Sequence, residues 1–227
     1  MSHIIPFQNV VQSLVTSSLT TGPTPLLPSG FKPTVDLRLN YNGDQVAMGN
    51  LFPTTECTNP PNITFFSEDP AKPSLSYTLI MIDPDAPIPQ SPIYANWCHW
   101  IIPGLMPTSY NEIITDLYNG PDPSSDESHS RSDEVSQTRM PIVQYYPPSP
   151  DEQSDPHRYI FLLYREPSSS IQETYLSLKS KDIGIDDTNI QTRKNFNFSN
   201  FAEKYQLTLV GINWFKSTNP DKMNETG

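Results

Sequence analysis

The chain has 227 residues, with 14 basic and 25 acidic side chains and a formal net charge of −11. That length carries one well-buried core, and that charge repels nucleic acid and anionic membrane surfaces, which makes both poor primary partners. Nowhere does an apolar run reach the roughly 18 residues a transmembrane helix needs.

The N-terminus, Met-Ser-His-Ile-Ile-Pro-Phe-Gln, lacks both a basic region and a continuous apolar stretch, so no secretory signal is read there. Two cysteines, Cys57 and Cys98, make no disulfide framework. A cytoplasmic setting is expected, with the vacuole or a membrane surface left open. Twenty-five prolines against nine glycines interrupt helices and keep strands short, so the chain reads as strands joined by stiff loops.

In chain order, Ile4, Phe7, Val11 and Leu14 recur at helical spacing and predict an amphipathic helix within 4–19. Pro23, Pro25, Pro28 and Gly30 then enforce an extended connector. Val35, Leu37 and Leu39 alternate with polar residues, as in a half-buried strand. Further strands are expected at 45–48, 62–67, 76–82, 98–103, 141–146, 158–165 and 207–216, and helices at 109–117, 171–180 and 198–206. In the last helix Asn200 and Glu203 are spaced like a capping box. Residues 119–139 contain one strongly apolar side chain, Val135, too few to offset the entropy of ordering. The segment is expected to be a disordered insertion in a single domain spanning 1–227.

The candidate chemistry lies at strand ends. Tyr77–Asp83 is an apolar run closing in Asp83-Pro84-Asp85-Ala86-Pro87, and Trp97-Cys98-His99-Trp100 opens the next. Asp155-Pro156-His157-Arg158-Tyr159 leads into a third. Asp83 and Asp85, two apart in an extended segment, project to one side and could do acid–base work or hold a metal. They could equally form a turn, for which Asp-Pro is ordinary chemistry. His99 could donate to an anion while an aspartate fixes its tautomer, or be a hydrogen-bonded core residue. No metal-ligand spacing, nucleophile elbow or phosphate-cradling glycine loop occurs.

Together these motifs resemble the phosphatidylethanolamine-binding proteins, also called Raf kinase inhibitor-like proteins. Asp83-Pro84-Asp85-Ala86-Pro87, Trp97-Cys98-His99 and Pro156-His157-Arg158-Tyr159 match the family's signatures. Val46-Ala47-Met48-Gly49-Asn50 and Phe201-Ala202-Glu203-Lys204-Tyr205 extend the match. The amphipathic N-terminal segment, Pro28-Ser29-Gly30 and Val46–Thr54 are similar to the carboxypeptidase Y inhibitors of fungi.

The resemblance implies a mainly β fold, with a large antiparallel sheet, a second small sheet and peripheral helices. It implies an anion pocket built from Asp83, Asp85, Pro87, Trp97, His99, Pro150, His157 and Tyr159, taking a phosphate-containing head group. No catalysis, metal or cofactor is implied. The implied partner is a serine carboxypeptidase, contacted through Ile4, Phe7, Val11 and Leu14, unless that stripe packs on the protein's own sheet. A modulator of a kinase or small-GTPase pathway, or a phospholipid or small-anion carrier, are the alternative functions. The family's Gly-Pro-x-Pro is here Pro147-Pro148-Ser149-Pro150, and its glycine before His-Arg is lost, with Asp155 adding a negative charge near the pocket. The polar tail Ser217–Gly227 is expected to lack the helix that covers the pocket in animal members.

Overall fold

A computed structural model describes residues 7–21, 25–68, 75–107, 135–167 and 172–223. Its strands are β1 (Arg38–Tyr41), β2 (Asp44–Gln45), β3 (Leu51–Pro53), β4 (Asn62–Thr64), β5 (Tyr77–Asp83), β6 (Trp97–Met106), β7 (Ser136–Gln137), β8 (His157–Arg165) and β9 (Thr208–Thr218). Its α-helices are α1 (Phe7–Thr16), α2 (Gln172–Leu176), α3 (Phe198–Lys204) and the single turn α4 (Pro220–Met223).

The large sheet has the order β3-β9-β8-β5-β6-β7, and the small one β2-β1-β4. Every pairing is antiparallel except that of β3 with β9, so the large sheet is mixed at one edge. All seven residues of β5 are buried, because β6 and β8 flank it and both faces are covered. This explains why its sequence is a continuous apolar run rather than an alternation.

Alternation survives as a division between faces. Ile80, Ile82, Ile160 and Leu162 join one core cluster, under the helices. Leu79, Met81, Phe161 and Leu163 join the other, under the small sheet. The helical side is closed by Tyr175 of α2 and by Phe198, Phe201 and Ala202 of α3. Asn197, not Asn200, caps α3, its side chain accepting from the Asn200 N–H.

The N-terminal stripe splits. Leu14 is 0% exposed and belongs to the core, with Leu19 beside it and Val10 packed against it. Leu14 is thus corrected from a partner contact to a residue of the fold, since a side chain with no exposed surface cannot touch another molecule. Val11 is half-buried and Val15 is 43% exposed. Ile4 and the side chain of Phe7 lie outside the described residues, as do the helix expected at 109–117 and residues 119–134.

Residues 135–139 overturn their part of the expected disordered insertion. Ser136–Gln137 add β7 to the sheet edge, and Val135 packs on the core. Arg139 Nη2 donates to both oxygens of the buried Glu166 carboxylate. Glu166 also accepts from the Thr78 hydroxyl (2.7 Å) and the Gly104 N–H (3.0 Å). Strand pairing and the Glu166 ion pair add to the packing of Val135 in ordering this stretch, so a count of apolar residues misreads it. The strand expected at 141–146 reduces to an isolated bridge, Ile101 with Val143.

Candidate functional site

The site forms where β5 ends and its antiparallel neighbours β6 and β8 begin. Pro84 terminates β5 directly after Asp83, and the Asp85 N–H folds back to donate to Asp83 Oδ1 (2.7 Å). The turn reading of this motif is therefore realised. Asp83 Oδ2 accepts from His157 Nδ1 at 2.7 Å, and the other nitrogen of His157 meets Ser154 Oγ at 2.8 Å. Tyr159 lies between the two histidines, stacked 6.4 Å from the His157 ring and edge-on 5.1 Å from that of His99.

His99 reaches this face through an irregularity. Met81 pairs with Trp100 and Ile82 with Cys98, so one step along β5 is matched by two along β6. His99 is the extra residue of a β-bulge, a device that re-aims side chains. Its carbonyl, left out of the ladder, accepts from the Tyr146 N–H (2.8 Å) and from Arg193 Nη1 (3.1 Å). Arg193, 2% exposed, also donates to the carbonyls of Cys98 (3.1 Å) and Gln144 (3.0 Å) and to Asp187 (2.8 Å). It clamps the extended segment 141–146 against the start of β6. Nothing in the polar stretch around Arg193 marks it as such in the sequence.

His99 Nδ1 lies 2.7 Å from the Tyr146 carbonyl oxygen. A carbonyl only accepts, so Nδ1 carries the hydrogen. The tautomer is fixed by a backbone oxygen, and the aspartate expected to do this holds His157 instead. Burial pushes the His99 pKa down to about 4, against the opposing pull of Asp83 and the Tyr146 hydrogen bond. Arg193 and His157 add to the lowering.

The unfolded chain thus binds the His99 proton more readily than the native one. Stability conferred by neutral His99 is complete above about pH 6.5 and is lost as pH falls toward about 4. Urea unfolding should show a loss on the order of 3 kcal/mol across this window, and His99→Gln should remove that part of the slope. An unchanged slope in the variant would assign the acid loss to other groups.

Six of the eight expected pocket residues, Asp83, Pro87, Trp97, His99, His157 and Tyr159, line one cavity of about 380 Å³. Asp85 and Pro150 are not among its lining residues. Asp85 turns away to an ion pair with Arg158, whose N–H (2.8 Å), Nε (2.9 Å) and Nη2 (2.7 Å) all donate to it. Arg158 Nη1 reaches the Ser17 carbonyl (3.0 Å), so Asp85 ties the sheet end to the segment after α1. A second cavity, of about 620 Å³, opens on that side, with Asp85, Arg158 and Ser18 in its wall.

Residues missed from sequence complete the first cavity: Ala86, Tyr94, Ser149, Asp151, Gln191 and Lys194. The Lys194 ammonium stands 3.5 Å above the Tyr94 ring. Asp155, expected to charge the pocket, is instead exposed and bonded to Gln90 outside the lining. The polar tail forms the single turn α4, whose Lys222 Nζ donates to the Ser154 carbonyl at 3.0 Å, and no described tail residue lines the cavity.

Ser154, His157 and Asp83 have the order of an acyl-transfer triad. Ser154 is 4% exposed, does not line the cavity, and has its hydroxyl 3.0 Å from the Asp155 carbonyl. The relay as built fixes the His157 ring. Among the described residues, no three His, Cys, Asp or Glu side chains gather as a metal would require. Nor is any helix among them long and apolar enough to cross a membrane.

A sheet with this topology, ending in an acid–histidine–tyrosine cavity, defines a class, and the comparisons name it. The family model described as phosphatidylethanolamine-binding protein matches residues 42–214. The chain belongs to the phosphatidylethanolamine-binding protein family. It is 25% identical over 203 residues to the carboxypeptidase Y inhibitor of Saccharomyces cerevisiae, covering 82% of this chain and 85% of that protein. Protein TERMINAL FLOWER 1 of Arabidopsis thaliana is 28% identical over 180 residues, covering 79% and 76%. Among solved structures, the carboxypeptidase Y inhibitor complexed with its cognate proteinase superposes with a TM-score of 0.68 at 23% identity, covering 96% of this chain and 98% of that one. The phosphatidylethanolamine-binding protein from Plasmodium vivax gives 0.63 at 21%, covering 92% and 97%.

Proposed function

We propose that this protein is a non-catalytic regulator that binds a small phosphate-type anion in the His99 cavity and inhibits a serine carboxypeptidase through its N-terminal segment. The observation that carries the reading is the likeness to the yeast carboxypeptidase Y inhibitor, which extends over 82% of the chain. A non-catalytic role is favoured by the state of the nucleophiles. Burial pushes the thiols of Cys57 and Cys98 up to about 12, so neither is a thiolate at neutral pH. Ser154 is closed off as described.

The partner contact falls on the part of the N-terminal stripe that the core does not use. Leu14 and Leu19 serve the fold, which leaves Ile4, Phe7 and the half-buried Val11 for a partner. The alternatives, a signalling modulator or a phospholipid carrier, need no such segment.

The test measures peptide hydrolysis by a carboxypeptidase Y-type enzyme. The full chain should inhibit, and a chain lacking residues 2–6 should lose inhibition with its melting temperature unchanged. Leu14→Ala should do the reverse, losing about 2–5 kcal/mol of stability while inhibiting as long as it is folded. A full-length protein inert against the enzyme at high micromolar concentration sinks the inhibitor reading.

A further inference from the structure

Sites built for fully ionised anions present hydrogens, but the floor of this cavity presents a lone pair. The Tyr146 carbonyl holds the His99 hydrogen on Nδ1. The nitrogen left for the cavity, Nε2, is therefore an acceptor. The ring is 3% exposed and lines the cavity. His157 supplies no free donor, because Asp83 and Ser154 engage both of its nitrogens.

The charges in the wall point the same way. Two carboxylates, Asp83 and Asp151, line the cavity against one ammonium, Lys194. Arg193 directs Nη1 to backbone carbonyls and Nη2 to Asp187, and its remaining Nε–H is buried without a partner. A doubly charged oxyanion would place its oxygens against a bare nitrogen and near two like charges.

We propose that the cavity takes its anion together with one proton, so that its ligand class is the singly protonated phosphomonoester, whose P–OH donates to His99 Nε2. This rests on the anion-binding reading above and narrows it. A phosphomonoester holds that hydrogen below its second pKa, about 6, whereas a phosphodiester carries none near neutral pH. The groups packed about His99 are Asp83 on β5, His157 and Tyr159 on β8, Trp97 on β6, the Tyr146 carbonyl, and Arg193 in the turn Ile190–Arg193. Burial holds the Tyr159 hydroxyl protonated well above its ordinary range. Asp151 and Lys194 stand farther out in the wall of the same cavity.

The experiment is calorimetric titration of the full chain with methyl phosphate and with dimethyl phosphate, from about pH 5.5 to about pH 7.5. Methyl phosphate should bind, its affinity falling about tenfold per pH unit once the ligand has lost its second proton. At the upper pH, buffers of different ionisation heat should reveal uptake of about one proton per molecule bound. Dimethyl phosphate should bind at least about tenfold more weakly throughout, for want of the hydrogen.

The diester also separates a proton on the ligand from general acidification of the site. If protonating the protein alone favoured anions, the singly charged diester would gain as the monoester does. Equal binding of the two esters, or monoester affinity flat with pH, overturns the proton requirement and leaves anion binding intact. Failure of both esters to bind at any pH overturns the anion-binding reading and this inference with it.

Discussion

Replacing Arg193 by methionine should lower the melting temperature by roughly 6–20 °C. The guanidinium donates to the carbonyls of Cys98, His99 and Gln144 and pairs with Asp187. Methionine fills similar volume but returns none of these bonds, and it takes this donor from the Cys98 and Gln144 carbonyls, while the His99 carbonyl keeps the Tyr146 N–H. Losing the charge-assisted hydrogen bonds of this buried guanidinium costs about 3–5 kcal/mol, and each kcal/mol shifts the midpoint of a chain this size by about 2–4 °C. The loss should be local in origin. Hydrogen exchange at the Tyr146 amide, which bonds the His99 carbonyl, should accelerate more than exchange at the centre of β8. A shift below about 2 °C would mean that water or another donor replaces the guanidinium.

Gly49→Ala should destabilise by about 2–6 kcal/mol. At φ +111° this residue adopts a conformation that side chains resist, and an added Cβ would lie 2.3 Å from Cη2 of Trp214. The loop cannot back away, because the Gly49 N–H donates to the Trp214 carbonyl at 2.8 Å. The two costs separate in a double-mutant cycle. Trp214→Leu removes the ring from the path of the new methyl but leaves the backbone strain, so the Gly49→Ala penalty should shrink by about half in that background. A penalty unchanged by removing the ring would assign the whole effect to φ. Chemical denaturation of the four proteins decides it.

The elements read correctly from sequence are those whose cause is local. Strands β5, β8 and β9 announce themselves because burial on both faces demands a continuous apolar run. The signature at Asp83–Pro87 is legible because proline and aspartate impose a turn wherever they fall. The features that escaped depend on partners distant in the chain. Arg139 looks like the end of a solvated loop until Glu166, 27 residues on, is brought beside it. Asn213 sits inside the apolar run of β9, yet its amide donates to the carbonyls of Leu37 and Val46 and stitches the 35–48 region to the sheet. Asp85 was grouped with Asp83 by period-two spacing, but the fold separates them, one to His157 and the other to Arg158. The tautomer of His99 turns on a carbonyl 47 residues away, which no local pattern encodes.

The bulge in β6 gives the cavity a peculiar kind of dependence. Cys98 stands opposite Ile82 and Trp100 opposite Met81, and each already faces the side its partner faces. His99 is supernumerary to that pairing, and the ladder carries a second irregularity between Tyr77 and Leu79. The histidine is thus a graft on a sheet that is complete without it. What the cavity requires of β6 is first a length and only then a residue type. Its loss would shorten the strand by one and would also remove the carbonyl that the Tyr146 N–H and Arg193 Nη1 engage.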